Sequence, residues 1–150
     1  MMITNQSKYL QKLYEKDDNL WLEKTIELLK QKRFNDLDLD NLIEELESLG
    51  RRDKSAVRSL TEQIIRYLLL LQYWQQESIR NASHWRSEIV SFRSQIEADL
   101  TTNLKIFLEK KLSKIYQSAL RYSQEKTNHS VDFPQNCPYS LEQVLDQNYF

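Results

Sequence analysis

Among its 150 residues the chain has one glycine, two prolines and one cysteine, and each scarcity excludes a class of protein. Folds rich in strands or loops place turn residues about every 8 to 12 positions, so so little glycine and proline points to an all-helical chain. With Cys137 alone no intramolecular disulfide forms, which suits a cytoplasmic location. Long apolar runs are also missing. The longest nearly apolar stretch, Ile64 to Trp74, is interrupted by Arg66 and Gln72 and falls short of the roughly 20 residues that span a bilayer. Met1 to Lys16 has neither a basic leading region nor a continuous apolar one, so no secretory signal is expected. Glycine poverty excludes a phosphate-binding loop, and no Gly-x-Ser-x-Gly elbow occurs.

What is present is 40% hydrophobic and 29% charged residues at a formal net charge of −1. A chain of this length buries about two-thirds of its unfolded surface, enough for a core without a structural metal. Neither repeats nor linkers are evident, and residues 1–150 read as a single all-helical domain.

Helical spacing recurs along the chain. Tyr9, Leu10, Leu13 and Tyr14 mark a short amphipathic helix; Asp17 or Asp18 caps a second, whose stripe is Trp21, Leu22, Thr25, Leu28 and Leu29. Phe34 to Asp38 reads as a turn. Asp38 or Asp40 then starts a third helix with Leu42, Ile43, Leu46 and Leu49 on one side. Gly50 invites a stop, but the residues after it tolerate helix, and a long central helix from about Asn41 to Gln76, bent or straight at Gly50, is the expectation. Glu77 to Ser83 reads as a polar turn. Trp85, Ile89, Phe92, Ile96 and Leu100 stripe the next helix, and Leu104, Leu108, Leu112, Ile115, Ala119 and Tyr122 the one after. Past Pro134 and Pro138, Ser140 and Gln143 form a capping box, with Tyr139 and Val144 placed as its hydrophobic staple. The expected fold is a six- or seven-helix antiparallel bundle-like domain built on the long central helix.

Chemistry finds few footholds. The two histidines, His84 and His129, have no second histidine or cysteine at ligand spacing, and no Glu-x-x-His pair occurs, so neither a transition-metal site nor a cofactor is implied. Cys137 lacks a histidine partner and reads as a packing residue. The basic residues Lys105, Lys110, Lys111, Lys114 and Arg121 spread around their helix, which disfavours duplex binding. Asp36, Asp38, Asp40, Glu44, Glu45 and Glu47 form an acidic run, followed at once by Arg51, Arg52, Lys54 and Arg58. The plain reading is a solvated face paired internally, Glu47 with Arg51. In the sharper one, Glu45 or Glu47 lines a polar pocket with Arg86 and Arg93. Those two arginines flank the Trp85 stripe, either as stems over the core edge with heads in water or paired with these carboxylates. The candidate polar set is Glu44, Glu45, Glu47, Trp85, Arg86 and Arg93. No catalytic residue is assigned.

Several ordered segments carry a family likeness. Asn41 to Arg51, the apolar Tyr67 to Trp74 with Gln75, Ser83-His84-Trp85-Arg86 with Arg93, Ile115-Tyr116 through Ala119 to Glu125-Lys126-Thr127, and Phe133 to Leu141 together resemble a bacterial family common in cyanobacteria, domain of unknown function twenty-nine. The resemblance implies a helical domain and transfers no activity. Where many relatives carry Leu-Lys-Trp, this chain has Leu71-Gln72-Tyr73-Trp74. The functional expectation is therefore a protein-interaction or scaffold module, self-association included, with a small-ligand binder or enzyme as the alternative.

Overall fold

The computed structural model describes residues 3–150; Met1 and Met2, the head of the stretch read for a signal, lie outside the described residues. Six α-helices and one 3-10 turn occur among them, with no strand: α1 (Asn5–Lys16), α2 (Asp18–Lys30), the 3-10 turn Phe34–Asp36, α3 (Leu39–Tyr73), α4 (Gln75–Asp99), α5 (Thr102–Lys126) and α6 (Leu141–Leu145). The chain forms two compact units, Met1–Arg51 and Arg52–Phe150.

In the first unit the helix starts follow local chemistry. Thr4 accepts from the Ser7 amide at 3.0 Å and Asp17 from the Leu20 amide at 3.0 Å, each satisfying an amide that the first turn leaves without a backbone acceptor. The core is small: Leu10, Leu13, Trp21, Leu28 and Leu37, with Tyr14, Leu20 and Leu42 against it. Only three of the five residues of the expected α2 stripe are covered. Trp21, Thr25 and Leu28 are buried, whereas Leu22 and Leu29 are exposed together with Ile26.

The second unit holds the main core. From Val57 onward α3 is buried through Ile64, Ile65, Leu68, Leu69 and Leu70, against Trp85, Ile89 and Ile96 of α4 and Leu104, Leu108, Ile115, Tyr116 and Ala119 of α5. Ring contacts give the helix directions. Trp74 stacks on Trp85 with centroids 6.1 Å apart, and Tyr67 meets Phe92 at 5.9 Å, so positions ascend on α3 as they descend on α4. Lys54 over Phe107 and Arg66 over Tyr122 ascend together, so α5 runs parallel to α3. The result is an up-down-up arrangement, closed at one end by the segment after α5. There Tyr139 donates to Gln72 Oε1 at 2.9 Å, Tyr116 donates to the Pro134 carbonyl, and the capping box of α6 forms as the sequence indicates.

One expected turn is corrected. Glu77 to Ser83 is not a connection: α4 begins at Gln75, and only Trp74, with φ −91° and ψ 68°, separates it from α3. The polar residues are its partly exposed first turns, with little apolar periodicity to reveal them.

Gly50 neither stops nor interrupts α3, and a Cβ there would meet nothing within 4 Å. The left-handed backbone positions fall instead on Lys32 (φ 58°), Asn128 (φ 52°) and His129 (φ 58°). At Lys32 the following amide, Arg33, bonds back to the Leu28 carbonyl at 2.9 Å, a helix ending that glycine normally supplies. Glycine therefore sits where it weakens a helix and is missing where it would relieve strain. Gly50→Ala should raise unfolding stability by about 0.5 to 1 kcal/mol, and Lys32→Gly should also raise it, by about 1 kcal/mol. Urea denaturation of dilute protein checks both, and a loss of stability in either variant would contradict the assignment.

Candidate functional site

In the first unit, the Asp38 side chain is buried between helices. Its Oδ2 accepts from Trp21 Nε1 at 3.1 Å and from Asn41 Nδ2 at 2.6 Å, while Oδ1 has no donor among the described residues. Beside it Tyr14 meets Trp21 edge-on at 5.0 Å and donates to Glu45 Oε1 at 2.5 Å. That hydrogen bond, helped by desolvation and the carboxylate charge, holds the Tyr14 phenol up at about 12. Glu45 borders a shallow groove with Asp18, Asn19, Trp21 and Leu22. Glu44 and Glu47 point to solvent, where Arg51 reaches them at 3.0 Å and 3.9 Å. Such exposed pairs are worth little.

The uncovered apolar side chains of this unit stand out more than its polar ones. Ile43 is 45% exposed, Leu46 59% and Leu49 50%, three of the four residues expected to form the buried stripe at the start of α3. Leu22, Ile26 and Leu29 add an exposed apolar face on α2.

The second unit brings Trp85, Arg86 and Arg93 to α4. Trp85 is buried in its stack with Trp74. Arg86 lays its guanidinium 5.1 Å from the Phe150 ring centroid and lines an open groove with Ala82, Ser83, Ser87 and Val90. Arg93 is 1% exposed, which corrects the expectation of a head in water. Its guanidinium donates to three backbone carbonyls: Nε to Val144 at 2.7 Å, Nη1 to Tyr149 at 2.7 Å and Nη2 to Gln143 at 3.1 Å. Two of these carbonyls belong to the last turn of α6, where the Asp146 amide reaches that of Gln143 only at 3.4 Å. Burial pulls Arg93 down to about 10, with Asp146 opposing the shift, so it remains a cation at neutral pH. Arg93 thus clamps the C-terminal segment onto α4. Carboxylates are conspicuous in a sequence and carbonyls are not, so residue types alone cannot show that acceptor set.

Cys137 is half-buried, with Sγ 3.3 Å from the Tyr139 carbonyl, and burial pushes its thiol up. His129 lies 3.1 Å from Glu125 on the exposed end of α5. No group of three or more histidines, cysteines or carboxylates that could hold a metal ion occurs among the described residues. No helix of the described residues is long and apolar enough to cross a membrane.

The molecule is thus an all-α, bundle-like protein whose polar side chains mainly fasten its own elements and whose first unit leaves apolar helix faces open. Residues 13–150 match the family described as "Domain of unknown function DUF29", and the chain belongs to it. No curated protein and no solved structure matches the chain.

Two measurements probe these contacts. Arg93→Met should lower unfolding stability by about 2 to 4 kcal/mol, because three carbonyls, that of Val144 buried and the other two partly so, lose a charged donor. Limited proteolysis should then cut first within 133–150, and an unchanged pattern would refute the clamp. For Tyr14 the folded value lies above the ordinary 10, so its contribution is present below pH 10 and is lost as pH rises through about 12. Glu45→Ala should move this ionisation back toward 10 in a difference titration of phenolate absorbance; coincident curves would exclude the hydrogen bond.

Proposed function

We propose that this DUF29 domain is a cytoplasmic protein-interaction module that docks through helical surface. One observation carries the reading: the apolar residues at the start of α3, Ile43, Leu46 and Leu49, occur at the spacing of a buried stripe and are about half exposed. Isolated exposed apolar residues are ordinary, whereas a run of them on one helix face marks a surface that excludes water only when something covers it. The α2 residues Leu22, Ile26 and Leu29 extend the apolar character of the same unit. Leucine and isoleucine anchors supply burial energy, and the charged residues beside them set orientation.

A photoreactive residue at position 46 tests this against one at position 79, where Ile79 is 91% exposed and eleven positions from Val90, the other exposed large apolar residue of α4 among the described residues. Irradiation in cells should give a discrete protein adduct from position 46 and none from position 79. Equal labelling at both, or none at 46, would refute the docking role.

A further inference from the structure

We propose that the seam between α3 and α5 in the Arg52–Phe150 unit is a second docking surface, fitted to an acidic helical segment of a partner protein. It goes beyond the docking reading above and stands on different residues.

Two parallel helices assemble the surface. Along α3, Lys54, Arg58, Glu62 and Arg66 form one i, i+4 row whose ends rest on α5. The Lys54 ammonium lies 5.6 Å from the Phe107 ring centroid and the Arg66 guanidinium 4.0 Å from that of Tyr122. Arg58 is thereby held beside α5 between these contacts, and it is exposed. The one acid of the row, Glu62, is taken by Arg66. On α5, at about 100° per residue, Phe107, Lys110, Lys111, Lys114, Ser118 and Arg121 share a sector about 100° wide. Only Lys105 departs from it, which corrects the even spread expected of the basic residues around this helix. Lys110, Lys114 and Arg121 are exposed and Lys111 is half-buried.

Carboxylates do not answer these cations. Glu109 projects nearly opposite the sector, and Glu125, one turn past Arg121, lies 3.1 Å from His129. Arg58, Lys110, Lys111, Lys114 and Arg121 have no carboxylate partner among the described residues, whereas Arg33, Arg51 and Arg66 each have one. Lys110, Lys114 and Arg121 stand about 6 and 10 Å apart along the axis, and carboxylates at i, i+4 and i+11 of another helix repeat those intervals. A helix laid along the seam therefore meets each cation in turn, and charges flanking a helix contact set its partner and orientation. A nucleic-acid strand fits less well. Neutralising its backbone takes a continuous cationic track, and here the α5 cations extend for only about 16 Å before Glu125 ends them.

The test is fluorescence anisotropy of labelled, alanine-based helical peptides titrated with the full chain, one peptide carrying glutamate at i, i+4 and i+11 and one carrying glutamine there. The glutamate peptide should bind, more weakly as salt rises, and the glutamine peptide should not. Lys110→Glu/Lys114→Glu should weaken binding about tenfold or more. Lys8→Glu/Lys12→Glu on α1 makes the same change in net charge and should leave binding unaltered. Circular dichroism checks that both variants keep wild-type helicity. A lysine-bearing peptide should bind the Lys110→Glu/Lys114→Glu variant more tightly than wild type, a gain that misfolding cannot give. No binding of the glutamate peptide, equal losses in the two variants, or tighter binding of a single-stranded oligonucleotide of equal charge would overturn the proposal. Labelling from position 46 is a separate readout, so the docking role of the start of α3 stands or falls independently.

Discussion

The structure depends on one constraint, that the apolar stripe of α3 has to be taken out of water. Its second half meets that constraint inside the chain. Val57, Ile64, Leu68 and their neighbours are almost wholly buried against α4 and α5, and most of the apolar burial in the Arg52–Phe150 unit is organised around them. Its first half does not. Ile43, Leu46 and Leu49 repeat the pattern but stay about half exposed, and the small core of the Met1–Arg51 unit draws on Leu42 alone from that stretch of the helix. A half-covered stripe is the physical reason to look outside the chain for the remaining contact.

Polar chemistry here serves architecture. Arg93 is buried as a cation, a costly arrangement that becomes favourable only when donors meet acceptors of good geometry, and three carbonyls of the C-terminal segment provide them. Asp38 plays a comparable part for Trp21 and Asn41 at smaller scale. Tyr14 and Glu45 share a hydrogen bond, and Glu44 and Glu47 form exposed pairs with Arg51. These are the contacts of a protein whose ionisable groups set register and fasten segments.

Much of the architecture is legible from spacing alone. The α4 and α5 stripes, the Asp17 cap and the Ser140 capping box all rest on near-neighbour chemistry, and near neighbours are what a sequence displays. The first turns of α4 were hidden because an exposed helix segment rich in polar residues looks like a turn. Among the candidate residues, the exposure of Glu44 follows from its place opposite the stripe, whereas the burial of Arg93 does not follow from any pattern. Its acceptors lie 50 to 56 positions away and are backbone atoms.

By itself the sequence determined that this protein is helical, where its helices other than α4 begin, and that a long one runs through Gly50, because capping, periodicity and glycine scarcity act within a turn or two. Only tertiary structure decided which stripes are covered. A leucine at stripe spacing is equally suited to a core and to an open face, and the difference lies in whether another element of the chain reaches it. Val57 is reached and left 1% exposed, whereas Leu46 keeps more than half of its surface in water.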